Sequence, residues 1–251
     1  MIRDNKQTLE YYDLAFNYKE NKLNEFLESV HDKEHDNTPG LWTFIQSIYF
    51  ELADIMYSRG DDLKDIKAMI EKGLEVQAVK MQHYRKRRIS LQDVMKEETT
   101  DNYPEFKKVY SNSASFQYYY SILQILSRAI IFDVNKELFQ KYIEDVTMPG
   151  VDFIFDWLIH SQNNNWPIRG KLNYPKKIEE LYNAANATNL AETEINLKKY
   201  VASRLTKLRG HPLFGPHMMK GYNYTGYWCF EVSAIAKLKG ITGFGLLEIK
   251  K

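Results

Sequence analysis

The residues best suited to chemistry in this 251-residue chain are few and scattered. His211 and His217 stand six apart in HPLFGPH, Glu231 sits in an apolar run, and Asp152, Asp156 and His160 follow one another at four-residue steps. Two such histidines could bind a metal ion, and positions 152 and 156 fall one turn apart on a shared helix face. Neither set forms HExxH or any other spacing with a mechanism attached, so the expectation is caps, loop formers or buried hydrogen-bond partners, with no metal. The chain carries no phosphate-binding glycine loop, no GxSxG elbow and no Cys/His pair suited to nucleophilic catalysis. Its one cysteine, Cys229, cannot form an internal disulfide, and its apolar neighbours predict a buried, inert thiol. No catalytic residue and no cofactor is expected, and the chain is not read as an enzyme.

The elements that would have to position any of these residues read as helices. With 18 Tyr and 13 Phe against 12 Gly and 7 Pro, the chain favours long regular elements with aromatic packing over a turn-dense β architecture. Amphipathic periodicity predicts a helix over 8–30, a second over 39–58 opened by Thr38-Pro39 and stopped at Arg59-Gly60, and a third capped by Asp61 or Asp62 and ending in YRKRR at 84–88. A polar stretch, 90–112, reads as a broken or partly helical connection. Ser113 or Ser115 then caps a strongly apolar central helix. Shorter helices are expected over 135–146 and 150–162, separated by Met148-Pro149-Gly150, and further ones over 176–187 and 191–208. The last residues, GITGFGLLEIKK, suggest a short strand or a docked tail. The expected fold is all-α: a multi-helix bundle of amphipathic antiparallel helices with a buried C-terminal helix. Its N-terminal region is 1–112 and its C-terminal region 113–251, together one compact unit.

Charge is unevenly spread beneath a net +1: residues 1–60 carry −5, 61–133 carry +1 and 134–251 carry +5. Such asymmetry bears on partners rather than fold. The run Tyr84-Arg85-Lys86-Arg87-Arg88, with Lys80 and His83, could contact phosphates, but a solvated helix end or ion pairs with the acidic segment 93–105 explain it as well. The start, MIRDNKQTLEYYD, lacks the apolar run of a secretory signal, and nowhere is there an uninterrupted apolar span of membrane-crossing length. The expectation is a cytoplasmic protein that neither enters a membrane nor binds nucleic acid directly.

The most specific stretch is 221–241, GYNYTGYWCFEVSAIAKLKGI. Tyr227, Phe230, Ala234 and Leu238 recur at helical spacing, Trp228, Val232, Ile235 and Ala236 widen the face, and Gly240 ends it, which predicts a nearly all-round buried helix. Glu231 near its start is expected to favour the helix N-terminus or to accept backbone or hydroxyl hydrogen bonds. Gly226-Tyr227-Trp228, then Glu231, then small residues and Gly240-Ile241, resembles the C-terminal signature of the PoNi family of polymorphic-toxin immunity proteins. Tyr57-Ser58-Arg59-Gly60 matches that family's Tyr-Ser-x-Gly element, whereas the chain's end lacks its Asp-rich stretch and Tyr-Pro tail. The resemblance implies an immunity protein that binds and inhibits a cognate DNase toxin of the PD-(D/E)xK type. Such toxins are often exported by a type VI or other contact-dependent system. A DNase holds phosphates in a positive groove, so clustered carboxylates become candidate toxin contacts: Asp61, Asp62 and Asp65; Asp93, Glu97, Glu98 and Asp101; and Glu28, Asp32, Glu34 and Asp36. Gly226, Tyr227, Trp228 and Glu231 are expected to be structural. The alternative is a helical nucleic-acid-binding or regulatory protein using 84–88.

Overall fold

The structure, a computed structural model, describes residues 2–31, 39–95, 116–209 and 221–242, and the side chains of all of these except 31, 39 and 84–95. The described residues form nine helices and no strand: α1 Leu9–His31, α2 Pro39–Arg59, α3 Leu63–Met95, α4 Phe116–Ile131, α5 Lys136–Val146, α6 Phe153–His160, α7 Pro175–Asn186, α8 Leu190–Lys207 and α9 Phe230–Leu238. The chain is all-α, as its composition implies. It divides into two compact units, Met1–Lys107 with Val134–Asp145, and Lys108–Asp133 with Val146–Lys251.

In the first unit, α2 packs against both α1 and α3. Leu23 and Val30 of α1, Ile45, Ile48 and Leu52 of α2 and Val76 of α3 form one buried cluster, flanked by Phe16, Phe26, Leu27, Leu41, Trp42, Tyr49 and Met69. The turn between α2 and α3 follows from its residues. Gly60 takes a φ of +98°, and the amides of Gly60 and Asp61 both donate to the Met56 carbonyl at 3.0 Å, which closes α2. The Asp62 carboxylate then accepts from the Lys64 amide at 2.7 Å and caps α3. Contrary to the expectation, α3 does not end in the basic run 84–88 but continues to Met95. Nothing in YRKRRISLQDVM is a strong helix breaker, so a cationic run alone is no stop signal. The acidic loop 32–36, the expected caps Ser113 and Ser115, and the C-terminal tail lie outside the described residues.

In the second unit, α9 packs on α4, α7 and α8, and α6 packs on α4 and α7. Nearly every residue of α9 is buried from Phe230 through Ala236. Its two C-terminal lysines stop other helices. Lys237 donates to the carbonyls of Ile130 (2.9 Å) and Ile131 (3.1 Å) at the end of α4, and Lys239 donates to Ala187 (3.0 Å) at the end of α7. Each places a cation on carbonyls that a helix end leaves unpaired. Two expectations need correction here. Tyr227 and Trp228, expected on the helical face, precede α9 in a non-helical segment that follows Gly226 at a φ of +120°. The helix expected over 150–162 is shorter, since Asp152 caps it and the chain leaves it after His160.

Candidate functional site

Glu231 is fully buried in the first turn of α9 and gathers polar groups from two other helices. Its Oε1 accepts from the Tyr120 hydroxyl (2.6 Å), the Tyr200 hydroxyl (3.0 Å) and Arg204 Nε (2.8 Å), and its Oε2 accepts from Gln124 Nε2. Arg204, itself 2% exposed, also donates from Nε to the Tyr120 oxygen at 2.8 Å and from Nη2 to the Trp228 carbonyl at 3.0 Å. The cluster thus ties α4 (Tyr120, Gln124), α8 (Tyr200, Arg204), α9 (Glu231) and the Gly226-Tyr227-Trp228 segment at one point. Burial pushes the Glu231 carboxyl up, but the Arg204 charge and the hydrogen bonds from Tyr120 and Gln124 outweigh it and hold the group below its usual range. Burial raises the phenols of Tyr120 and Tyr200 well above their ordinary values. The same burial, with Glu231 nearby, raises the Cys229 thiol well above its own, so the cysteine is an inert packing residue. The charges are matched and the acceptors filled, so this cluster orders the fold rather than presenting a reactive group to solvent.

The second set of expected residues also turns inward. Asp152 caps α6 by accepting from the Ile154 amide (2.9 Å) and the Tyr119 hydroxyl (3.1 Å) on Oδ1, and from the Asn173 amide (2.9 Å) on Oδ2. Its burial raises the carboxyl from the usual value, with those hydrogen bonds opposing. Asp156 accepts from Trp166 Nε1 (2.9 Å) and from the amides of Gly150 (3.1 Å), Arg169 (2.9 Å) and Gly170 (2.8 Å). His160 Nδ1 lies 2.7 Å from the Trp166 carbonyl. One short helix, with its capping Asp152, Asp156 and His160, therefore organises the loop 161–174. His211 and His217 lie outside the described residues. Gly170 runs so close to the start of α6 that an added Cβ would sit 2.3 Å from the Asp152 carbonyl carbon. Gly170→Ala is expected to cost about 3 kcal/mol through this backbone clash, read as a lower urea midpoint. An unchanged midpoint would mean the loop is free to move away.

In the first unit, Tyr57-Ser58-Arg59-Gly60 is a junction. The Ser58 carbonyl accepts from the amides of Arg3 (2.9 Å) and Asp4 (3.3 Å), while Arg3 gives Nη1 to the Tyr57 carbonyl (3.1 Å) and Nη2 to the Asp61 carbonyl (3.0 Å) and covers the Tyr57 ring. Arg59 forks onto Asp61 (2.8 and 2.5 Å), bonds Asp13 (3.0 Å) and lies over Phe16. Of the acidic candidates, Asp61 is thus engaged by Arg59, Asp62 caps α3, and Asp62 and Asp65 are exposed. Asp93 belongs to α3 but its side chain is not described; Glu97, Glu98 and Asp101 lie outside the described residues. Lys80 and His83, the expected companions of the basic run, are half-buried: Lys80 donates to Gln46 Oε1 at 2.9 Å, and His83 stacks on Trp42. Burial lowers the Lys80 ammonium to about 8, with Asp145 opposing.

Sequence reasoning reached Glu231 and its hydroxyl partners in kind but missed Arg204, Tyr120, Tyr200 and Gln124. A signal existed: Leu197, Tyr200, Arg204 and Leu208 keep helical spacing, and an arginine inside an apolar stripe calls for a buried acid.

The fold is similar to the crystal structure of protein PA2201 from Pseudomonas aeruginosa, with a TM-score of 0.65 over 95% of this chain and 83% of that one at 16% identity. A search of the curated proteins found no match. Residues 150–248 match the family described as PoNe immunity proteins (PoNi), C-terminal, and this span holds Asp152, Asp156, Arg204 and Glu231. The C-terminal region of the chain is thus similar to the C-terminal part of the PoNi immunity proteins.

Proposed function

We propose that this protein is an immunity protein that binds a cognate antibacterial DNase toxin of the PD-(D/E)xK type in the cytoplasm and blocks it without chemistry of its own, so protecting the producing cell and its kin. The observation that carries this reading is the PoNi match over residues 150–248. The polar interior agrees with it, since the Glu231 and Asp156 carboxylates are filled by internal donors and organise helices and loops. The toxin reaches its target through a type VI or other contact-dependent secretion system, and the acidic groups at 61–65 and 93–101 are its candidate contacts. The rival reading, nucleic-acid binding through 84–88, is weakened because its companions Lys80 and His83 are half-buried and engaged with Gln46 and Trp42.

The test is a plasmid-nicking assay with the product of the adjacent toxin gene. One equivalent of the protein is expected to abolish cleavage while an unrelated nuclease keeps cutting. Undiminished cleavage at several equivalents, with no complex by size-exclusion chromatography, would sink the immunity reading. Inhibition of every nuclease through DNA coating would favour the rival.

A further inference from the structure

One end of the first unit combines carboxylates with exposed leucines. The first turns of α1 and the α2–α3 turn meet there, because Arg59 bonds Asp13 on α1 and Asp61 beyond α2. Near this join are Leu9 (53% exposed), Leu14 (45%) and Leu63 (54%), each about half in water although leucine gains much from burial. The same stretches of α1 and of the α2–α3 turn carry the exposed carboxylates Glu10, Asp62 and Asp65, and Asp13, whose side chain is 52% exposed. The two arginines of this end point inward: Arg3 is spent on backbone carbonyls and the Tyr57 ring, Arg59 on Asp61, Asp13 and the Phe16 ring. Lys64 is the exposed cation within the same turn. The end is acidic, apolar at three points and held rigid by the Tyr57-Ser58-Arg59-Gly60 junction, which fixes its register without using the outer side chains.

We infer that this end, formed by Leu9, Glu10, Leu14, Asp62, Leu63 and Asp65, is the surface on which the protein receives the phosphate-binding face of a nuclease. The inference rests on the proposed immunity function and assigns its docking site. Charge complementarity selects the occupant. A nuclease must hold phosphates with Lys and Arg, so its binding face is basic and seeks an acidic surface. The carboxylates steer the encounter, and the leucines, once dehydrated, slow the departure. Each aspartate or glutamate here is replaceable without disturbing the interior. The capping role of Asp62 passes to asparagine.

The experiment measures association and dissociation rates of the full chain with the catalytically inactivated product of the adjacent toxin gene. Glu10→Gln/Asp62→Asn/Asp65→Asn is expected to slow association about tenfold at low salt, a difference that fades at high salt. Leu14→Asn and Leu63→Asn, made singly, are expected to speed dissociation roughly tenfold each. Helicity and melting temperature should stay at wild-type values. Glu179→Gln/Glu192→Gln, on exposed acids of the second unit, is expected to change neither rate. If the wild type binds and inhibits but the first three variants bind with unchanged rates, the docking site is overturned and the immunity function stands. If the wild type does not bind, the immunity function fails and the inference with it. A patch-dependent dimer of this chain in sedimentation, with toxin binding untouched by the variants, would assign the surface to a second copy instead.

Discussion

Arg204→Met is expected to lower the unfolding free energy by about 3–5 kcal/mol, the range for breaking one side of a buried ion pair. The reason lies in what remains. Glu231 would keep its hydroxyl and amide donors but lose the adjacent positive charge, and no water reaches it to compensate. The pH dependence carries a second signature. In the wild type the folded carboxyl titrates below its ordinary 4.5, so its contribution is complete above that value and is lost as the pH falls through the lower folded value. Without Arg204, burial dominates and the folded carboxyl titrates above the unfolded one. Its penalty is then relieved as the pH falls, and the gap between variant and wild type should narrow on acidification. Arg204→Met/Glu231→Leu should cost less than the two single variants together, since neither charge is left alone. Urea unfolding at pH 5 and pH 8 decides the matter. A cost under about 1 kcal/mol at pH 8 would mean the pair behaves like a surface one.

How much of this could be read from the residues depends on the range of the interaction. Local signals worked: Pro39 opens α2, Gly60 closes it, Asp62 caps α3 and Pro149 with Gly150 separates α5 from α6. They worked because caps and left-handed glycines act within one turn of the chain. The basic run at 84–88 misled because a favourable C-terminal charge is only a few tenths to about 1 kcal/mol and does not end a helix. The site was harder. Tyr120 and Glu231 are 111 residues apart in sequence yet 2.6 Å apart in space, and no spacing rule reports such a pair. The buried arginine in the α8 stripe announced that an acid was needed without saying which. Lys237 and Lys239, to which the sequence assigns no role, cap the ends of two other helices, which is visible only once α4, α7 and α9 are packed.

The signature residue Trp228 gives the sharpest test of whether the PoNi-like stretch serves folding or recognition. Trp228 is 4% exposed and lies just before α9, where its carbonyl accepts from Arg204 at 3.0 Å. Trp228→Ala keeps that carbonyl but empties the space of the indole, so the expected cost is about 3–5 kcal/mol from lost packing and the residual cavity. Two of the same unit's other aromatics, Tyr224 and Tyr227, are buried in edge contact at 5.1 Å, so the segment has little freedom to collapse into the hole. Loss of protection against the toxin should then follow the unfolded fraction: a Trp228→Ala protein assayed at a temperature where it is still folded should inhibit as the wild type does. Trp228→Phe, which refills most of the volume, should recover more than half of the lost stability. A folded Trp228→Ala variant with an unchanged melting temperature and no toxin binding would place Trp228 at the interface, and the Gly226-Tyr227-Trp228 segment would then have to reach the toxin through a rearranged second unit.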